Sequence, residues 1–161
     1  MSPRPSFLIL LLAISLLSCD KKRVFDDYKS VGSSWKKDSI VDFGFIQKDT
    51  TKAYNLFLNL RSNSNYQFSN LFLIVALEHP DGLTKVDTLQ YQMAEPDGTL
   101  LGEGFSDIKE SKLVYKENMK FPKAGNYNVR IQQAVRQTGK IVGVNELEGI
   151  TEVGFRIEST E

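Results

Sequence analysis

Alternation of apolar and polar residues constrains this chain more than any other feature. Tyr54, Leu56, Leu58 and Leu60 recur at every second position, with Asn55 and Asn59 facing the other way. Tyr127, Val129 and Ile131 alternate against Asn128, Arg130 and Gln132, and Val153, Phe155 and Ile157 against Glu152, Arg156 and Glu158. Val41, Phe43 and Phe45 follow the same rule. Successive side chains of a strand point to opposite faces, so a period of two marks strands with one buried and one wet face. Leu71 to Leu77 is apolar throughout, but seven residues ending at a turn suit a strand better than a helix. No long segment shows helical spacing.

The turn chemistry agrees. His79-Pro80-Asp81-Gly82 and Glu95-Pro96-Asp97-Gly98 both carry Pro-Asp-Gly. Proline fixes φ at the second turn position and glycine accepts the positive φ that closes a bulged hairpin. Between these turns Leu89, Tyr91 and Met93 alternate while Val86 has the opposite parity, so a β-bulge is expected near Asp87-Thr88. Gly125-Asn126-Tyr127 introduces a strand whose inward tyrosine can reach a backbone carbonyl with its hydroxyl. About five to eight short strands with these turns predict an all-β chain forming a single β-sandwich, immunoglobulin-like or jelly-roll-like.

The amino-terminal segment has a different character. Arg4 is followed by the apolar run Phe7 to Leu17, whose 11 residues are too few to anchor stably across a hydrocarbon core of about 30 Å. A charged start, a short apolar core and a small residue before the cut make a secretory signal. The cut site Leu16-Leu17-Ser18-Cys19 resembles the lipobox of bacterial lipoproteins, with Cys19 taking the lipid and the bulky Leu17 a mild departure. Cys19 is the single cysteine, so acylation leaves no thiol for a disulfide, and the mature domain must stand on its hydrophobic core. The expected layout is a signal peptide at 1–18, a lipidated tether at 19–27 and a sandwich domain at 28–161. Lys21, Lys22 and Arg23 in the tether either bind anionic headgroups beside the acyl chains or are simply solvated. In some lipoproteins that this chain resembles an acidic run after the cysteine acts as a surface-export signal; the opposite sign here implies a periplasm-facing protein.

Chemistry is sparse. Formal charge balances at 20 basic and 20 acidic residues, which argues against nucleic acid as a partner. His79, the single histidine, is expected to be an exposed turn residue and cannot build a zinc site without cysteines or a second histidine. Gly102-Glu103-Gly104 is not completed to a dinucleotide fingerprint, and Gly139-Lys140 precedes Ile141 rather than Ser or Thr. Gly104-Phe105-Ser106-Asp107 lacks the second glycine of a nucleophile elbow. No pair among the 20 acids is singled out for acid–base work. The reading is therefore no enzyme, no cofactor and no metal. Trp35, Tyr66 and Tyr28 could offer flat rings to a glycan if they share an exposed face.

Val135 to Gly149 is a connection of 15 residues, longer than a hairpin needs, and carries Ile141, Val142, Val144 and Leu147. It is either a partner-binding loop, with Arg136 and Val144 as contacts, or a short extra strand capping the sandwich.

Several stretches together resemble the gliding-motility lipoprotein GldH family of the Bacteroidetes. They are Pro96-Asp97-Gly98-Thr99-Leu100-Leu101-Gly102-Glu103-Gly104, then Pro122 to Tyr127, then Gln133-Ala134-Val135-Arg136 with Gly149 to Glu158. The resemblance runs from Cys19 to the end of the chain. It implies a membrane-anchored, non-catalytic envelope protein whose partners belong to the gliding machinery and the secretion coupled to it. The alternative is a glycan-binding β-sandwich module of the envelope.

Overall fold

The computed structural model describes residues 20–161, so Leu16, Leu17, Ser18 and Cys19 lie outside the described residues. Ten strands follow in order: β1 Arg23–Ser30, β2 Ser34–Lys36, β3 Val41–Gln47, β4 Ala53–Ser62, β5 Asn70–Glu78, β6 Thr84–Gln92, β7 Lys109–Lys120, β8 Gly125–Gln133, β9 Glu146–Glu148 and β10 Ile150–Ser159. One four-stranded sheet has the order β1-β10-β4-β7 and a second β3-β8-β5-β6, while β2 and β9 form a small separate ribbon. All pairings are antiparallel.

Strand order decides between the two sandwich types. Among the eight long strands only β5 and β6 are sequence neighbours within one sheet; every other step crosses to the opposite sheet. Two interlocked four-stranded sheets wound this way make a jelly roll. An immunoglobulin sandwich would keep more neighbouring strands side by side.

The alternating residues form the core. Leu56, Leu58 and Leu60 of β4, Val129 and Ile131 of β8, and Val153, Phe155 and Ile157 of β10 are fully buried, with Tyr54 and Tyr127 nearly so. An aromatic cluster closes one end: Phe45 stacks on Tyr127 at 5.5 Å, and Phe121 packs edge-on against both Tyr54 and Tyr127. The Tyr127 hydroxyl donates to the Lys123 carbonyl at 2.8 Å, as its position after the glycine turn predicts.

Both Pro-Asp-Gly turns form, with Gly82 at φ +82° and Gly98 at φ +88°. His79 N–H donates to the Leu83 carbonyl at 2.8 Å, and Glu95 N–H to Thr99 at 2.9 Å. Three expectations need correction. The bulge near Asp87 is absent: β5 and β6 stay in register from Asn70↔Gln92 to Glu78↔Thr84. Val86 simply faces solvent, and the polar residue on the inward parity is Asp87, satisfied by the Tyr115 hydroxyl and Lys116 Nζ, each at 2.9 Å. His79 is buried rather than exposed, its ring 5.2 Å from that of Tyr127. Finally, β1 begins at Arg23, inside the stretch 19–27 read as a tether. Phe25 anchors it, with its ring 5.7 Å from Phe45 and 6.0 Å from Phe155.

Candidate partner-binding face

The two sheets turn very different faces outward. On the β1-β10-β4-β7 sheet most outward residues are polar and tied to one another, and the apolar pair there, Phe57 and Val114, is part-covered by Lys112, whose Nζ lies 4.1 Å from the Phe57 ring centre. The Tyr28 hydroxyl donates to Glu110 Oε1 at 2.9 Å and accepts from Asn59 Nδ2 at 2.9 Å. Arg61 Nε reaches Glu110 Oε2 at 3.1 Å, its other arm pairs with Glu152, and its guanidinium lies 4.6 Å from the Tyr28 ring centre. Burial first, and then the Glu110 carboxylate, push the Tyr28 phenol up to about 12. Arg156 gathers Asp26, Glu158 and Asp20, and Lys112 completes the row at 2.7 Å from Glu158. Carboxylates held by arginines in this way are occupied structurally. Among the described residues no cluster of acids, histidine or cysteine has metal-binding geometry.

The β3-β8-β5-β6 sheet presents an apolar stripe instead. Strand β5 turns Leu71, Leu73, Val75 and Leu77 into the core and leaves Phe72, Ile74 and Ala76 half-buried on the outside. Val86 on the paired strand, opposite Ala76, is 63% exposed. An antiparallel sheet with one wet face ordinarily carries polar residues there, and contiguous exposed apolar surface marks an interaction site. Phe72, Ile74, Thr88, Ala134 and Arg136 line a depression of about 450 Å³, and a smaller one beside it extends to Ile141 and Val142.

The connection after β8 supplies the rim of this groove, and it does contribute a short extra strand. Its distal half forms β9, which pairs with β2 so that Leu147 faces Trp35, both fully buried. Its proximal half is a small hairpin: Arg136 bridges Gly143, and Val144 N–H donates to the Val135 carbonyl at 2.8 Å. The base is clamped by Gln133, which is 1% exposed. Its Nε2 donates to the Val144 carbonyl at 2.8 Å, and its Oε1 accepts from Val135 N–H at 3.0 Å. Val144 is half-buried and packs on the core, which makes it a support rather than a contact surface. The exposed apolar residues of the hairpin are Ile141 at 90% and Val142 at 71%. Arg136 is exposed beside them and has no ion pair among the described residues.

Arg136, singled out in the sequence as a possible partner contact, lines the depression, whereas Phe72, Ile74 and Gln133 are not singled out there. The signal was present: an apolar run on both parities of one strand gives it two apolar faces, and only one can enter the core. The three rings proposed for a glycan do not share a face. Trp35 and Tyr66 are buried, donating to the Ser39 carbonyl at 2.8 Å and the Asn70 carbonyl at 2.7 Å, and Tyr28 lies beneath Arg61. The glycan reading built on them is set aside.

The model of the GldH lipoprotein family matches residues 23–157. The chain belongs to this family. A protein of Flavobacterium johnsoniae named gliding motility lipoprotein GldH is 67% identical over 156 residues, 97% of each chain. A GldH homolog of Christiangramia forsetii is 52% identical over 155 residues, covering 96% of this chain and 95% of that one. Family membership therefore extends over the whole jelly roll, including the groove and its hairpin rim.

Proposed function

We propose that this chain is a lipid-anchored, non-catalytic component of the gliding machinery, facing the periplasm. In this reading residues 1–18 are removed as a signal peptide and Cys19 carries the lipid. The jelly roll docks an envelope protein of that machinery and supports its assembly or stability. The observation that carries the docking role is the outward apolar stripe Phe72-Ile74-Ala76, continued by Ile141 and Val142, which is longer than the single Phe57–Val114 pair on the otherwise ion-paired outer face of the other sheet. The groove suits a partner segment with apolar side chains and a carboxylate, since Arg136 can grip a carboxylate with two parallel hydrogen bonds. The identity of the Flavobacterium johnsoniae relative supports placing that partner in the gliding apparatus.

The test is replacement of that relative in its own bacterium by this chain. The wild-type chain should restore colony spreading. Cys19→Ser should not, and neither should the double variant Ile141→Asp, Val142→Asp, although the latter accumulates as folded, membrane-bound protein. Full spreading by the double variant would show that the groove is not the docking site, and full spreading by Cys19→Ser that the anchor is dispensable.

A further inference from the structure

The jelly roll has two unlike ends. At one end the connections are the long segments 31–40, 63–69, 93–108 and 134–149; at the other they are the short segments 48–52, 79–83 and 121–124. The start of β1 and the end of β10 lie at the short-loop end: Ser159 N–H donates to the Lys22 carbonyl at 2.8 Å, and Thr160 N–H to the Ala53 carbonyl at 3.2 Å. Lys120 is the pairing partner of Ala53, so Lys22, Ser159, Ala53 and Lys120 follow one another across this edge of the sheet. Asp20 pairs with Arg156 of the same sheet. Cys19 therefore precedes a residue already docked on the domain, and β1 is pinned by Phe25 a few residues later.

Charge is divided between the ends as well, although the chain as a whole is formally neutral. Lys21, Lys22, Arg23, Lys48 and Lys120 are exposed at the short-loop end, and none has an ion pair among the described residues. Lys52 and Lys123 stand there too, paired with Glu161 and Asp81. The exposed Leu83 adds an apolar side chain on the neighbouring turn. The opposite end carries segment 93–108, with Glu95, Asp97, Glu103 and Asp107 and no cation in that segment, while Lys36, Lys37, Arg136 and Lys140 of the neighbouring long segments are offset in part by Asp38, Glu146 and Glu148. Clustered Lys and Arg beside an acyl anchor strengthen attachment to anionic lipid, and acidic surface is repelled by it.

From this the geometry points to a membrane-docking edge. Lys21, Lys22, Arg23, Lys48 and Lys120 lie against anionic phospholipid headgroups and hold the jelly roll upright on the bilayer. The hairpin tip that carries Ile141 and Val142 is then presented at the far end, about 30 Å away for ten-residue strands at roughly 3.3 Å per residue. The proposal rests on the reading of Cys19 as the anchor point and adds orientation to it. Without the edge, a lipidated domain would tumble about its attachment.

The test separates the two claims. Because Cys19 is the chain's single cysteine, the chain is coupled through that thiol to a maleimide lipid in vesicles, so attachment no longer depends on cellular acylation. Lysines are then footprinted with an amine-reactive reagent and read by peptide mass spectrometry, on phosphatidylglycerol and on phosphatidylcholine vesicles. Lys48 and Lys120 should label several-fold less on phosphatidylglycerol, with the protection reversed by high salt, while Lys140 on the distal hairpin is unchanged. Equal labelling of Lys48 and Lys120 on the two vesicles, or equal protection of Lys140, overturns the edge. In the Lys48→Glu, Lys120→Glu protein, protection of Lys21 and Lys22 should fall. Undiminished protection there would mean that the residues next to Cys19 act alone and the wider edge does not exist. Acylation in the cell is read separately by palmitate incorporation, whose absence would refute the anchor without touching the footprint.

Discussion

Gln133→Leu isolates the device that positions the hairpin. The side chain is 1% exposed and makes two hydrogen bonds, to the Val144 carbonyl at 2.8 Å and from Val135 N–H at 3.0 Å. Leucine has nearly the same volume, so no cavity opens, but both backbone groups lose their partner. Each buried polar group left unsatisfied costs about 1–3 kcal/mol, and the added apolar burial offsets part of that. A net loss of about 2–4 kcal/mol is expected, read as a lower urea midpoint with an unchanged denaturant slope. Hydrogen exchange should locate the effect, because the Val144 amide donates to Val135 across the same base. Its protection should drop further than that of core amides such as Val129. The function should follow: a hairpin that opens no longer presents Ile141 and Val142 in one place, so partner affinity falls even at temperatures where the sandwich is intact. A change below about 0.5 kcal/mol, with Val144 exchange unaltered, would refute the reasoning.

Two further outcomes follow from the core. Leu58 is fully buried at the centre of the β1-β10-β4-β7 sheet, and Leu58→Ala should lower unfolding free energy by about 2–5 kcal/mol in urea titrations, a loss under about 0.5 kcal/mol contradicting its inward placement. Burial, with help from Lys85, holds the His79 imidazole below its ordinary value of 6.5, so the unfolded chain takes up a proton more readily than the folded one. Stability should therefore decline as pH falls from about 6.5 towards the folded-state value, and His79→Phe should flatten that slope in urea midpoints measured at pH 7.5 and pH 5. An identical slope in both proteins would remove His79 as the cause.

Where the alternation is clean, the fold was legible before any coordinates. Strands β3, β4, β8 and β10, both Pro-Asp-Gly turns and the Tyr127 corner all follow from residue pattern and turn chemistry. Strand β7 was not read because its pattern is broken. Its inward residues include Ser111 beside Leu113 and Tyr115, its pairing with β4 slips twice, and Asn118 takes a φ of +51°. The short strands β2 and β9 carry only three residues each, too few for a period, and their burial comes from Trp35 meeting Leu147 across a long sequence separation. The half-burial of Val144 is not legible either, because a loop apolar residue has no periodic neighbours to betray its direction. Gln133 shows the same limit from the polar side. Its inward parity after Ile131 was visible, but its partners are backbone groups of a loop whose path the sequence does not specify.

The central claim is that the outward apolar face of β5 and the hairpin tip receive an envelope protein. It is tested most directly by placing a photo-crosslinkable residue at Val142 in living cells, with the same residue at Lys112 on the polar sheet as the comparison. The account predicts a discrete adduct with one envelope protein from position 142 and none from position 112. Adducts of equal yield from both positions, or none from position 142, would contradict it.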